Sequence, residues 1–266
     1  MERLRPAAVA GSFYPASSER LRKTVEALVA QAHTPTLEGK LRGLIVPHAG
    51  YVYSGPVAAT GYKTVHSSQF DSSQLRVLLL GPAHYVYFVG AATLDCDAWQ
   101  TPLGTVKCAT DLIARALKDN DLQNNPEAHA PEHSLEVQLP FLQTVLPHCE
   151  IFPILTGECD YRELARTLDP YLDEIDLFIV SSDLSHYYPY DEAVARDALA
   201  HQAIESFDFA LMEDRVEACG KTAILTLLQI AQERHWKPKL LDYRNSGDTA
   251  GDKFRVVGYG CYAFYG

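Results

Sequence analysis

The sequence predicts an α/β fold, with a central, mainly parallel sheet flanked by helices on both faces. Three aliphatic runs carry that expectation: Leu44-Ile45-Val46, Val77-Leu78-Leu79-Leu80 and Leu177-Phe178-Ile179-Val180. Each is short, continuous and closed by Pro, Gly or Ser, which suits a strand buried on both faces. Segments with helical spacing lie between them, and strand–helix alternation is the pattern of a parallel sheet covered on both sides. At 266 residues the chain can bury a large core and lies within the range of one α/β domain, expected over residues 1–266.

Spacing and chain-breaking residues define the elements in order. A helix is expected from Ser17 or Ser18, with Leu21, Val25, Leu28 and Val29 along one face. After the first aliphatic strand comes a helix from residue 55 to about residue 66, ending near His66, and then the second strand. The stretch around residues 91–94 reads as irregular, 99–104 as a turn and 109–118 as a helix. From Glu132 to Leu146, the residues Leu135, Leu139, Leu142 and Leu146 share a helical face that Pro140 is expected to kink or interrupt. Residues 151–155 read as a strand, 161–172 as a helix and 177–182 as the third aliphatic strand. Helices over 191–205 and 222–233 precede two closing strands, 239–243 and 254–264, which the polar loop 245–252 joins as an antiparallel hairpin.

Hydrophobic residues make up 47% of the chain and charged residues 21%, as in an ordinary globular protein and unlike a disordered one. A formal net charge of −11 argues against a nucleic-acid partner, because phosphate backbones are bound by clustered Lys and Arg. The first residues contain no apolar stretch long enough for a signal peptide, and no later run reaches membrane-spanning length. A cytoplasmic protein with no membrane partner is therefore expected. None of the six cysteines is spaced as Cys-x-x-Cys, which removes the usual zinc-ribbon and thioredoxin signatures. Most should be buried thiols, Cys149 and Cys261 among them.

All three aliphatic runs lead into a histidine: His48, His84 and His186. Ligands of open parallel sheets collect at the carboxyl ends of the strands. Imidazole recurring at that place suggests a metal or proton-transfer site, since a metal needs neutral nitrogen donors converging from separate strands. Cys219 is expected to open a helix whose apolar stripe is Ile224, Leu227, Leu228 and Ala231. The amide groups and dipole at a helix start are expected to favour its thiolate, which is both a nucleophile and a metal ligand. Gly220-Lys221-Thr222 is not a phosphate loop, because Arg215 stands where that motif needs glycine and no strand leads into it.

Pro131-Glu132-His133-Ser134-Leu135-Glu136 is expected to open a helix. Its two acids suit a first helical turn or a supporting role in chemistry, and His133 suits a partner of the ligands. Asp183 and His186 share one loop, where they fit a general base with its orienter or a pair satisfying turn backbone groups. Tyr51, Tyr53, Tyr85, Tyr87, Tyr187 and Tyr188 follow the three histidines. Such rings either line a pocket for an aromatic or peptide-like ligand or pack beneath their own loops. No Gly-x-Ser-x-Gly elbow is present, so a serine hydrolase lacks its signature.

Taken together, Ala10-Gly11-Ser12-Phe13-Tyr14, Pro47-His48-Ala49-Gly50-Tyr51, Gly81-Pro82-Ala83-His84, Glu132-His133-Ser134-Leu135-Glu136, Ser181-Ser182-Asp183-Leu184-Ser185-His186, Cys219-Gly220 and Asn245-Ser246-Gly247-Asp248 resemble the Memo family in order and context. The resemblance covers essentially the whole chain. That family is similar in fold to the LigB-type extradiol dioxygenases, which hold ferrous iron with two histidines and a carboxylate. The resemblance implies that His48 and His84 are metal ligands and that His186, oriented by Asp183, matches the dioxygenases' acid/base histidine. Cys219 stands in place of the carboxylate. A thiolate is softer and more electron-donating, so one transition-metal ion is expected, iron(II) or copper, with zinc also compatible. His133, Glu132 and Tyr51 are then expected to support the ligands or to touch substrate.

The favoured reading is a metal-binding, redox-active oxidoreductase with a His/His/Cys site. The alternative is a non-catalytic module that holds a peptide or protein in the former active-site cleft, since eukaryotic branches of the family are described as signalling mediators. Prokaryotic members are described as protein B of a set with an AMMECR-type protein and a radical-SAM protein, which implies those two as partners beside a small-molecule or peptide ligand.

Overall fold

The three aliphatic runs become neighbouring strands of one sheet. The structure, a computed structural model, describes residues 2–65 and 75–266. Its first half contains β1 (Leu4–Arg5), α1 (Ser18–Gln31), β2 (Leu41–Val46), α2 (Tyr51–Lys63), β3 (Arg76–Pro82), β4 (Ala91–Thr93), β5 (Ala98–Thr101), β6 (Gly104–Cys108) and α3 (Thr110–Lys118). Then come β7 (Gln123–Asn124), α4 (Pro126–His129), α5 (Leu139–Val145), β8 (Glu150–Thr156), α6 (Tyr161–Leu172), β9 (Leu177–Ser181) and β10 (His186–Tyr188). The chain closes with α7 (Tyr190–Ser206), α8 (Phe209–Asp214), α9 (Lys221–Glu233), β11 (Lys237–Asn245), α10 (Ser246–Thr249) and β12 (Val256–Tyr265).

Strands β6, β8, β3, β9 and β2 lie side by side and run parallel. β12 continues the sheet antiparallel to β2 and forms the expected hairpin with β11. The aliphatic centre of β3, Val77 to Leu80, is fully buried, which contributes about 1.5–3 kcal/mol for each such side chain. Both faces are covered, as the period of two in β2 records. A Cβ on Gly43 would meet Leu227 of α9 at 3.4 Å. On the opposite face, Gly61 of α2 approaches so closely that a Cβ would lie 3.0 Å from Val46 and 2.7 Å from Cys261. Glycine at these two positions therefore sets how near the helices come to the sheet.

Several elements depart from the sequence expectation. α2 begins at Tyr51, not at residue 55, and encloses Pro56, whose missing N–H would favour a start just before it. Tertiary anchors move the start: the Tyr51 amide donates to Phe13 O at 2.8 Å and its hydroxyl to Val137 O at 2.6 Å. α2 ends at Lys63, and His66 lies outside the described residues. Pro140 kinks nothing, because it occupies the first turn of α5, where its missing N–H has no intrahelical partner to lose. A 3-10 turn, Glu136–Gln138, precedes that helix, residues 134–135 form a turn and residues 132–133 are irregular, so Glu132 is not in a helical first turn. Residues 91–94, expected to be irregular, hold β4, and the turn expected over 99–104 is narrower, because Trp99 lies inside β5 and Gly104 already starts β6.

Candidate metal centre

The parallel strands deliver His48 and His84 to one edge. His48 follows β2 and His84 follows β3, and β9, which separates them in the sheet, leads into Ser182 and Asp183. The Ser182 amide donates to Val46 O at 2.9 Å, which holds the two loops side by side. His133 enters from the turns ahead of α5, and its ring centroid lies 5.3 Å from that of His48 and 4.6 Å from that of His84. His48 and His84 are 5.1 Å apart by the same measure. One nitrogen from each of these three imidazoles lies within 4.8 Å of the others, a group able to hold a metal ion.

Hydrogen bonds decide which nitrogen each ring offers. Ser181 Oγ donates its single proton to Ser134 O at 2.6 Å and accepts from Gln138 Nε2 at 2.8 Å. It can therefore only accept from His48 Nδ1, 3.0 Å away, so that nitrogen carries the proton and Nε2 keeps its lone pair. His84 Nδ1 lies 2.9 Å from Glu132 Oε1, and His133 Nδ1 lies 3.3 Å from the same oxygen and 3.2 Å from the Tyr85 hydroxyl. With Nδ1 engaged, Nε2 is the nitrogen each ring has left to offer a metal, and that of His48 has Cys219 Sγ 3.2 Å away. A carboxylate, hydroxyl or carbonyl on the outer nitrogen is how proteins fix the tautomer of a metal-binding histidine.

Electrostatics suit the same role. Burial, then the nearby charge of His84, lowers the His48 imidazole to about 3. His133 falls to about 4 through burial and the charge of His48. Both rings are thus neutral at pH 7, as metal donors must be. Burial alone would raise the Glu132 carboxyl. The His84 side chain and the amides of His84 and Ser134 outweigh it and hold the group at about 2.

Cys219 lies beside this group. Its Sγ is 3.2 Å from His48 Nε2 and accepts from the Asp183 amide at 3.2 Å. Gly220 permits the approach, since a Cβ there would meet Ser181 O at 2.9 Å and Ser182 Cβ at 2.8 Å. The expectation of a thiolate favoured by a helix start does not hold for the protein without metal. α9 begins only at Lys221, and burial, reinforced by the charge of Asp183, pushes the thiol up to about 12.

Asp183 Oδ1 accepts the His48 amide at 2.7 Å, so its carboxylate supports the histidine loop. His186 opens β10 opposite Val257 and interacts with Asp183 and His48 through charge, without a hydrogen bond to Asp183. Tyr51 is buried in the core among Tyr14 and Phe141. Glu132 is where sequence reasoning expected a supporting residue, whereas His133, expected outside the ligands, stands among the three nitrogen donors.

Sequence reasoning missed the bolt beneath the site. Arg5 Nη1 pairs with Glu136 at 2.5 Å, and both side chains are buried. Glu136 also accepts from the amides of Ala8 and Val9 and from the Tyr14 hydroxyl. Arg5 Nη2 donates to Glu132 O at 2.6 Å, and its guanidinium lies 4.1 Å over Trp99. The N-terminal segment thereby fixes the backbone that carries Glu132 and His133, while Phe13 packs on His133 at 4.5 Å. Two acids four residues apart beside an imidazole were the available signal, because a buried acid requires a partner.

A parallel sheet with His48 and His84 beyond the carboxyl ends of its strands and His133 beside them defines an α/β protein with a possible metal centre. The family model described as "Memo-like protein" matches residues 5–263. The chain is 35% identical over 276 residues to a MEMO1 family protein of Metallosphaera sedula, covering 95% of this chain and 96% of that one. A MEMO1 family protein of Aquifex aeolicus is 36% identical over 268 residues, 97% of each chain, and one of Methanopyrus kandleri is 37% identical over 286 residues, 98% of each. The chain belongs to the Memo-like family.

Proposed function

We propose that this chain holds one transition-metal ion and works as a redox-active protein, an oxidoreductase using iron or copper, with zinc as the non-redox occupant. His48 and His84 are ligands, Cys219 supplies the sulfur, and His133 joins them as a further nitrogen donor. The observation that carries the reading is that each imidazole has its outer nitrogen engaged and turns its other nitrogen to a common group, with Cys219 Sγ 3.2 Å from that of His48. Donors around a metal at about 2.1 Å are at most about 4.2 Å apart, so a short inward shift of the rings closes the set. Imidazole with thiolate suits copper(I), zinc or iron.

When bound, the metal supplies Lewis acidity and, for iron or copper, electron transfer. The chain's own part is to orient and to move protons. Glu132 and Ser181 hold the rings, Asp183 braces the His48 loop, and His186, half-buried beside them, takes or gives a proton at the mouth of the site. A cytoplasmic setting and a small-molecule or peptide ligand go with this reading, and AMMECR-type and radical-SAM partners join it by family resemblance. A second reading, a binding module without turnover, draws on the exposed rings next to the site: Tyr85, bonded to His133, and Tyr187, packed on His186.

The test is metal analysis of protein purified without oxygen and loaded with iron(II), copper(I) or zinc, for the parent and for Cys219→Ser. One ion per chain is expected in the parent, and in the variant a loss of copper(I) affinity greater than that of zinc, because serine is a poor soft donor. No binding of any metal would overturn the reading and favour the module.

A further inference from the structure

Away from the metal centre, the structure brings two other thiols together. Cys96 lies in the irregular stretch between β4 and β5 and Cys108 ends β6, and their sulfurs are 3.5 Å apart. Both residues are buried. The hairpin pins them there: Ala98 pairs with Lys107, and the Cys108 amide donates to Asp97 O at 2.9 Å. Arg3 grips both sides of Cys96, pairing with Asp95 at 2.5 Å and Asp97 at 2.9 Å. Cys149 and Cys261 are buried elsewhere, and Cys159 and Cys219 are half-buried. Among the described residues no other pair of sulfurs lies within hydrogen-bonding distance.

We propose that Cys96 and Cys108 form a reversible disulfide, with a peroxide as oxidant and a small thiol as reductant. The sulfurs need to close from 3.5 Å to about 2.05 Å, a shift of about 1.5 Å within one hairpin. Either sulfur can donate the hydrogen bond they share; when Cys108 donates it, the Cys96 thiolate is favoured and Cys96 is the attacking sulfur. That sulfur displaces one oxygen of hydrogen peroxide, which leaves as water once protonated, and Cys96 becomes a sulfenic acid. Cys108 then attacks the oxidised sulfur and a second water leaves. Two thiols and one peroxide thus give one disulfide and two waters, and two equivalents of a small thiol reverse the reaction.

The bridge would matter to the rest of the molecule because β5 also carries Trp99, against which Arg5 is stacked at 4.1 Å. Cross-linking β5 to β6 stiffens the wall that Arg5 uses to hold Glu132 O. The inference does not depend on a metal.

The experiment uses the full chain, reduced, freed of reductant without oxygen, exposed to increasing hydrogen peroxide, then alkylated in denaturant and mapped by mass spectrometry. The expected product is a Cys96–Cys108 linkage with a mass loss of about 2 Da, while Cys149 and Cys261 remain alkylatable and dithiothreitol restores both thiols. In urea-unfolded protein the same dose should give mixed pairings, because the hairpin no longer holds the sulfurs together. Cys96 and Cys108 still alkylatable after Cys159 or Cys219 has oxidised would overturn the proposal. So would conversion of Cys96 to a sulfinic acid without the bridge.

Discussion

Glu132 shows how much one side chain decides at this site. Its carboxylate accepts from the amides of His84, His133 and Ser134 and lies against the outer nitrogens of two imidazoles. Glu132→Gln preserves size but replaces one acceptor oxygen with an NH2 group that must face N–H donors. Metal affinity should fall by about 10- to 100-fold with the fold retained, since partners of metal-bound histidines carry effects of that order. Competition with a chromophoric chelator measures it. An unchanged affinity would mean that ring orientation is set by packing, notably by Phe13 on His133. His48 and His84 were legible as candidate donors at the ends of buried runs, and Cys219 as a candidate from its place at a helix start. Ser181 was not, because its bond to His48 joins residues 133 positions apart and depends on the β2–β9 register.

Between elements, the buried Arg5–Glu136 pair joins the N-terminal segment to the turns before α5. Its value lies in completeness: Glu136 accepts four hydrogen bonds, from Arg5, Ala8, Val9 and Tyr14. Glu136→Gln would leave the guanidinium buried without its countercharge, and removing one partner of such a pair costs about 3–5 kcal/mol. Urea unfolding should report that loss, together with weaker metal binding as the Glu132 backbone loosens. By contrast, breaking the exposed Glu19–Lys23 pair on α1 should cost no more than about 0.5 kcal/mol. Equal effects from the two changes would refute the structural role given to Arg5. Where elements went unrecognised, tertiary contacts had overridden local signals. α2 starts at Tyr51 because its amide and hydroxyl are fixed by Phe13 and Val137, not because of any feature of residues 51–54.

Across the whole molecule, buried imidazoles tie stability to pH. Burial lowers His48 to about 3 and His129, His133 and His201 to about 4, against an ordinary value of 6.5. Below 6.5 the unfolded chain binds protons that the folded one refuses. The stability these groups contribute is therefore present above that pH and is lost as pH falls toward the folded values. Glu132, held at about 2 against an ordinary 4.5, acts in the same direction from 4.5 downward. Burial raises Asp183 and Asp197, which opposes the trend, but four imidazoles outweigh two carboxyls through most of the window. The urea midpoint should drop steeply between about pH 6.5 and about pH 4, each unpaired proton steepening ΔG by about 1.4 kcal/mol per pH unit. Metal should be released over the same range, since the donors must stay neutral. A midpoint that holds steady or rises on acidification would contradict the burial of these rings.

The fold class was written in the sequence by itself, because aliphatic runs of strand length alternating with amphipathic helices leave a parallel sheet as the only way to bury both faces of the strands. The same runs announced His48 and His84, since a polar residue just beyond a buried strand must emerge at the sheet edge. Only the tertiary structure decided which donors share that edge. His133 comes from turns that local pattern mistook for a helix, and it reaches the other rings because Arg5, 128 positions away from it in the chain, holds the carbonyl of its neighbour Glu132. The state of Cys219 was likewise beyond the sequence: a helix start favours a thiolate, but burial against His48 and Asp183 reverses the preference. Desolvation is a property of the packed molecule, and no run of neighbouring residues contains it.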